Sequence, residues 1–254
     1  MKKQNLIPKI IHYCWFGHGE KPAMLQACIK SWQKFLPEYQ IMEWNETNFD
    51  IANSIVYVQQ AYQCKKYAFV SDYVRLYALR QWGGIYMDTD VEVLKSYNDL
   101  LTYSSFWGFE DDHYMASCVI GAQRTDALVD LFFHHYDDKK FINDDGSINQ
   151  LTNTYVLSEL VASMGIVLNG TKQTINENIM IFPKTYFSPY DYKNGNNFVC
   201  EESYAIHHFS QTWLPWHIRY KRMMKIKIIK VFGKKRVEQW IRLIKNNHNS
   251  RITS

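Results

Sequence analysis

Two aspartates separated by one residue form the most informative cluster in the sequence. Asp88 and Asp90 follow the apolar run GGIYM. Alternate side chains at a strand end share one face, and two carboxylates that close repel each other unless a cation lies between them or one is protonated. Mg²⁺ and Mn²⁺ prefer carboxylate and phosphate oxygens, so the pattern predicts a divalent metal site that would bridge to a departing diphosphate. A solvated turn or a helix N-cap is the alternative, because Asp is common in both.

A second pair of charges lies earlier, in a helical pattern. Asp72 and Arg75 are spaced i, i+3 and therefore neighbour each other on a helix. The pair is either a surface salt bridge worth less than about 1 kcal/mol, or a carboxylate and guanidinium that hold sugar hydroxyls beside the metal.

The third cluster is the late segment AIHHFSQTWLPW. Its adjacent histidines, His207 and His208, close a predicted strand, and neutral imidazole is a good ligand for Mn²⁺. Together with Thr212 and Trp213 they indicate another part of a site, although an isolated histidine is more often an ordinary core or surface residue.

The elements that would position these clusters alternate between strands and helices. This alternation predicts an α/β fold with a mainly parallel sheet, and in open sheets of this kind ligands bind beyond the carboxyl ends of the strands. We expect strands at 9–15, 40–44, 85–87, 106–109, 116–122, 179–183 and 204–209, and helices between Pro22 and Pro37, over 56–82 in two pieces, at 126–136 and at 153–164.

Composition narrows the class of protein. The 254 residues are 46% hydrophobic and 16% aromatic, which excludes a disordered or low-complexity chain. No run approaches the roughly 20 apolar residues that cross a bilayer, and we expect no signal peptide. The five cysteines are odd in number and scattered, which favours free thiols in a reduced, cytoplasmic compartment.

Charge divides the chain unevenly. Between Arg219 and Lys245 there are eleven Lys or Arg and one acid, Glu238, whereas the rest of the chain is mildly acidic. We therefore expect a main domain over 1–216 and a basic tail over 217–254, formed by two amphipathic helices that Gly233 separates. Such a tail fits an anionic membrane surface or nucleic acid, or it packs on the body with a solvated basic face.

Three segments, in order, resemble a known family. IPKIIHYCWFG, AFVSDYVRLYALRQWGGIYMDTDVEVL and AIHHFSQTW together resemble the DXD-containing glycosyltransferases of family 32, which include yeast initiating mannosyltransferases and bacterial capsule and O-antigen enzymes. The SD-x-x-R and GGIY-x-D-x-D arrangement is also distantly similar to clostridial glucosylating toxins. The resemblance implies a GT-A fold, with one Rossmann-like nucleotide-sugar-binding domain, and a retaining transfer assisted by Mn²⁺ or Mg²⁺.

The resemblance also implies roles for individual residues. Asp90 would bind the metal and the diphosphate, Asp88 would contact the ribose or sugar and the metal through water, and Asp72 and Arg75 would hold sugar hydroxyls. His208, with His207 as the alternative, would complete the metal shell. The residues expected to contact the nucleotide sugar are Tyr13, Trp15, Phe16, Asp72, Arg75, Tyr86, Asp88, Thr89, Asp90, Thr212 and Trp213.

The function that the resemblance implies is transfer of a hexose or N-acetylhexosamine from a nucleotide sugar, with UDP as the expected carrier. The acceptor would be a saccharide, linked to undecaprenyl diphosphate, at the inner face of the cytoplasmic membrane, in surface polysaccharide synthesis, and no nucleic acid partner is expected. The loop FWGFEDDH, with Glu110, Asp111 and Asp112, would meet the acceptor or be a solvated acidic loop. Two alternatives stay open: a metal-dependent phosphoryl or nucleotidyl transferase, and a non-catalytic membrane or nucleic-acid adaptor.

Overall fold

The described part of the chain divides into two units. A computed structural model describes residues 4–149, 151–176, 178–210, 216–237 and 239. One unit contains the described residues of Met1–Pro189 and Val199–His208, and the other contains those of Tyr190–Phe198 and Phe209–Ser254. The expected division at residue 216 stays a proposal.

The first unit is built on a seven-stranded mixed sheet in the order β2-β1-β3-β6-β5-β8-β7. Five of these strands run in one direction, and β6 and β7 run in the other, so the predicted α/β class with a mainly parallel mixed sheet is confirmed. The strands of this sheet are β1 (Ile10–Cys14), β2 (Gln40–Trp44), β3 (Gly84–Met87), β5 (Ser105–Phe109), β6 (Met115–Ala122), β7 (Gln173–Ile175) and β8 (Ile179–Phe182).

Helices cover both faces of the sheet. Side chains alternate along β3, so that Tyr86 packs with the apolar layer under four helices while Ile85 and Met87 pack with the layer under α1. A strand buried on both faces reads as a continuous apolar run, as GGIYM does. The helices of this unit are α1 (Ala23–Phe35), α2 (Val56–Gln63), α3 (Tyr67–Trp82), α4 (Ala127–His134), α5 (Asn153–Ser163) and α6 (Lys184–Phe187).

A pair of glycines connects α3 to β3. Gly83 and Gly84 have φ of 64° and 109°, in the region that favours glycine. A Cβ on Gly83 would lie 2.7 Å from the backbone nitrogen of Arg124, and one on Gly84 would lie 2.6 Å from the carbonyl oxygen of Ile10. The chain can therefore leave the helix and enter the centre of the sheet within two residues, which brings the end of β3 close to α3.

Two short strands beyond the end of β3 were not expected from the sequence as a pair. Strands β4 (Val91–Val93) and β11 (Ala205–His207) form an antiparallel ribbon in which His207 lies opposite Val91. This ribbon brings the late histidine cluster to the acidic turn.

The second unit contains a hairpin and a helix. Its elements are β9 (Tyr190–Asp191), β10 (Asn196–Asn197) and α7 (Trp216–Phe232). Helix α7 ends before Gly233, whose φ is 82°, as expected for a break at that residue. None of the helices in the described ranges is long and apolar enough to cross a bilayer.

Candidate active site

The sequence Asp88-Thr89-Asp90 forms a tight turn between β3 and β4. The amide of Asp88 donates to the carbonyl of Cys118 on β6 (2.8 Å), and the amide of Val91 donates to the carbonyl of Asp88 (3.0 Å). The hydroxyl of Tyr86 donates to Oδ1 of Asp88 (2.9 Å). Both carboxylates are therefore held at the carboxyl end of β3, with Thr89 half-buried between them.

His207 completes a cluster with the two aspartates. Its Nε2 lies 3.3 Å from Oδ1 of Asp90 and 4.0 Å from Oδ2 of Asp88. One ligand atom from each of the three side chains lies within 4.8 Å of the others. Two carboxylates and an imidazole at such distances are a suitable donor set for a divalent cation such as Mn²⁺ or Mg²⁺.

The structure places His207, the alternative of the two histidines, beside the aspartates. His208, predicted as the metal ligand, points its Nε2 at Oε2 of Glu92 (2.9 Å), and only its amide contacts the acidic turn, donating to the carbonyl of Asp90 (3.0 Å). Adjacent residues of a strand point to opposite faces, so only one of the two rings can reach the cluster. The signal in the sequence was the apolar Ala205, two residues before His207 and on the same side of the strand; Ala205 is fully buried.

Arg75 connects the acidic turn to α3. Its Nη2 donates to Oδ1 of Asp72 (2.8 Å) and lies 3.3 Å from Oδ1 of Asp88. Its Nη1 donates to the carbonyl and the hydroxyl of Ser117, at 2.6 and 2.9 Å. The guanidinium also stacks 4.6 Å from the ring of Tyr86, and the residue is only 4% exposed. The Asp72–Arg75 pair is therefore not a surface salt bridge. The nitrogens of Arg75 face protein groups, whereas the side chain of Asp72 is still 16% exposed.

The electrostatics of the site follow from burial of charge. Burial raises the pKa of Asp72 to about 6, although Arg75 opposes the shift and Asp88 adds to it. Burial also raises the pKa of Asp88, again against the effect of Arg75 and His207. Burial disfavours the charged form of His207, but Cys118 and Asp90 outweigh it and hold the pKa of His207 well above its usual value. The carboxylates are thus costly to ionise without a cation beside them.

The aromatic residues expected at the nucleobase differ in what they can contact. Tyr13 is buried, donates its hydroxyl to Glu43 and packs edge-on against Trp32. Phe16 is buried in the core. Trp15 alone of the three keeps a partly exposed side chain, and its indole nitrogen donates to the carbonyl of Gly19 (2.7 Å). Thr212 and Trp213 lie outside the described residues.

The acidic loop after β5 is largely occupied by internal contacts. Oδ1 of Asp111 accepts from the amides of His113 and Tyr114, at 2.9 and 3.0 Å, and so closes a turn. Lys184 binds Asp112 (2.7 Å), and Thr154 donates to Glu110 (3.4 Å). Asp111 therefore stabilises the turn of the loop, and contact of Glu110, Asp111 or Asp112 with an acceptor stays a prediction.

The geometry defines a candidate cation site, formed by two partly buried carboxylates and an imidazole, at the strand ends of an α/β fold. Comparisons with known proteins fit this geometry: residues 22–107 match the family described as glycosyltransferase sugar-binding region containing DXD motif. That range includes Asp72, Arg75, Asp88 and Asp90 and ends before the ribbon strand that carries His207.

Two relatives in sequence and one solved structure are similar to this chain. An uncharacterized glycosyltransferase of Acanthamoeba polyphaga mimivirus is 24% identical over 226 residues, which cover 83% of this chain and 85% of the relative. Inositol phosphoceramide mannosyltransferase 3 of Schizosaccharomyces pombe is 31% identical over 103 residues, or 39% of this chain and 29% of the relative. The solved PaToxG glycosyltransferase aligns with a TM-score of 0.47 at 18% identity, over 62% of this chain and 68% of that one. The chain thus contains a region that matches the DXD-containing glycosyltransferase family, and over most of its length it is similar to a viral protein described as a glycosyltransferase.

Proposed function

We propose that the chain is a retaining, metal-dependent transferase of GT-A type that moves a hexose or N-acetylhexosamine from a nucleotide sugar to a saccharide acceptor. The observation that carries the proposal is the convergence of Asp88, Asp90 and His207 at the end of β3, inside and next to the matched DXD region. UDP is the carrier proposed, on the resemblance of the three sequence segments.

The residues of the cluster have separate tasks. Asp90 and His207 would hold the cation directly, and Asp88, tied by Tyr86 and Arg75, would contact it from the side of β3. A divalent cation bound there supplies positive charge to the departing nucleoside diphosphate. Held dipoles and charges of this kind are often the largest contribution to catalysis.

The buried pair on α3 would orient the donor. The carboxylate of Asp72 is the group that can accept hydrogen bonds from sugar hydroxyls, and Arg75 fixes its position and that of Asp88. Because the carboxylates of Asp72 and Asp88 are both paired with Arg75, we prefer attack on the same face of the sugar to a covalent carboxylate intermediate. Isolation of a glycosyl-enzyme adduct would overturn that preference. The partly exposed ring of Trp15 is the one proposed to stack on the base.

The proposed acceptor is a lipid-linked saccharide, with undecaprenyl diphosphate as the lipid carrier, and the proposed pathway is capsule or O-antigen synthesis. One relative is named as an inositol phosphoceramide mannosyltransferase, so an acceptor that is part of a lipid occurs among the proteins this chain resembles. The enzyme would then work as a peripheral protein on the cytoplasmic face of the membrane.

The first experiment measures nucleoside diphosphate release from a panel of nucleotide sugars with Mn²⁺, with and without saccharide acceptors. One donor should support release, and EDTA or Asp90→Ala should reduce the rate about 100-fold or more, since a lost charge at the leaving group costs several kcal/mol. Asp138→Ala, which removes an exposed acid on the same domain, is the control and should leave the rate unchanged.

Other outcomes select the alternatives. Pyrophosphate in place of a nucleoside diphosphate would identify a nucleotidyl transferase. Full activity of Asp90→Ala would contradict the assignment of the cluster. If no donor is turned over and no nucleotide raises the melting temperature with Mn²⁺, the non-catalytic adaptor replaces the enzyme.

A further inference from the structure

Helix α7 has one face that packs within its own unit. A Cβ on Gly195, at the turn of the β9–β10 hairpin, would lie 2.5 Å from Cγ2 of Ile226, so the helix approaches the hairpin closely. Ile229 is 8% exposed, and the guanidinium of Arg222 lies 5.0 Å from the centre of the Tyr192 ring. These contacts identify the side of the helix that packs within the second unit.

The other side of the helix is apolar and exposed. Positions 216, 220, 223, 224 and 231 recur at helical spacing and lie on the side of the helix that points away from Ile229 on a helical projection. We call them the exposed stripe. They are Trp216 (72% exposed), Tyr220 (52%), Met223 (45%), Met224 (36%) and Val231 (74%). An apolar patch of this size on one helix marks an interaction site, because soluble proteins seldom expose such surfaces without a use.

Basic residues surround the exposed stripe. Residues 216–237 include nine Lys or Arg and neither Asp nor Glu. On the helical projection Arg219 and Lys230 flank the stripe on one side, Lys221 flanks it on the other, and Lys227 lies within it. All four are exposed. The surface therefore requires a partner that is both apolar and anionic.

The charge pattern selects among possible partners. A second copy of the chain would bring the same nine cations against each other in a self-complementary contact, which like-charge repulsion opposes. Nucleic acid would bind the Lys and Arg side chains but would leave Val231, Met223 and Met224 exposed to water. A bilayer that contains anionic lipids offers acyl chains to the stripe and phosphates to the lysines.

We propose that α7 lies in the headgroup region of an anionic bilayer through the exposed stripe, with Arg219, Lys221, Lys227 and Lys230 facing the lipid phosphates. Ile226 stays against the hairpin, and Ile229 stays buried on the side of the helix away from the stripe. The proposal depends on α7 alone and holds whether or not the sugar-transfer reaction is the one proposed above.

The test is co-sedimentation of the full chain with vesicles of phosphatidylcholine and phosphatidylglycerol, and with vesicles of phosphatidylcholine alone. The stripe variant carries Trp216→Gln, Tyr220→Gln and Val231→Gln, because glutamine keeps helix propensity. Its partition onto the mixed vesicles should fall about tenfold or more. The matched control, Leu151→Gln with Val167→Gln, removes apolar side chains that are 54% and 61% exposed in the other unit and should bind as the unmodified chain does.

A charge variant separates the two contributions. Lys221→Gln with Lys227→Gln should lower binding to the mixed vesicles about tenfold or more, and added salt should weaken binding by the unmodified chain. Circular dichroism checks that each variant keeps its helix content. If the triple stripe variant loses helix content, Val231→Gln alone is tested in its place. Equal binding of the stripe variant and the unmodified chain would overturn the proposal. So would a lack of preference for phosphatidylglycerol, or a self-association without vesicles that the stripe variant abolishes.

Discussion

Two buried histidines beside the central sheet have opposite electrostatic surroundings. His12, on β1, donates from Nε2 to the carbonyl of Gly83 (2.8 Å) and accepts at Nδ1 from the indole of Trp44 (3.2 Å). Burial lowers the pKa of His12 to about 4, so this ring is neutral. His207 lies instead between two carboxylates, and the pKa of its ring is held well above the usual value. Burial alone thus does not decide the charge of a histidine here; its neighbours do.

The ring nitrogens of His12 have their partners within the protein, whereas His207 belongs to a cluster that could hold a cation. Around His12 each ring nitrogen has a partner within the protein. At the strand ends the guanidinium of Arg75 contacts the carboxylates of Asp72 and Asp88, and the imidazole of His207 lies beside Asp90. Three carboxylates there face one guanidinium and one imidazole, and a divalent cation bound among them would offset the remaining negative charge.

Removal of the Arg75 guanidinium should have the largest of these effects, on the free energy of unfolding. Arg75→Leu leaves two buried carboxylates without a counter-charge, and breaking a buried ion pair costs about 3–5 kcal/mol. We expect the free energy of unfolding, measured by urea titration, to fall by about that amount.

The control lies on the same helix. Arg80 is 33% exposed and pairs with Asp130 at 2.7 Å, so Arg80→Leu should cost less than about 1 kcal/mol. Equal losses for the two variants would mean that the strand-end carboxylates are not held by Arg75 as a buried charge network.

The next effect distinguishes the two adjacent histidines. His207→Ala removes a proposed ligand and should weaken Mn²⁺ binding to the protein roughly 10-fold or more, measured by titration calorimetry. His208→Ala removes a ring that faces Glu92 and should change the affinity less than threefold, since its contact to the turn is a backbone amide. The reverse order of effects would restore His208 as the ligand.

Local signals explain what could be predicted from the sequence. Pro22, Pro37 and the Gly83-Gly84 pair punctuate the chain, so α1, α3 and β3 were found close to their observed ends. Strands β4 and β7 are three residues each, too short for a periodic pattern. The partners of Arg75 on β6 could not be found, because Ser117 reaches that guanidinium only through the pairing of β3 with β6.

The smallest expected effect concerns His12 and the pH dependence of the free energy of unfolding. In the folded chain the pKa of His12 is about 4, below its value of 6.5 when unfolded, so the unfolded chain binds more protons between these values. Stability from this group is therefore full above the unfolded pKa and is lost as pH falls toward 4. Between about pH 7.5 and pH 5.5 the loss should be roughly 1 kcal/mol.

The variant His12→Gln, which cannot titrate, should be less stable than the unmodified chain at the higher pH, because Gly83 and Trp44 lose well-placed partners. Its free energy of unfolding should fall less on acidification. Urea titrations at both pH values measure the difference between the two slopes. Parallel losses in the two proteins would mean that His12 is not the neutral buried ring of this comparison, and that other groups carry the pH dependence.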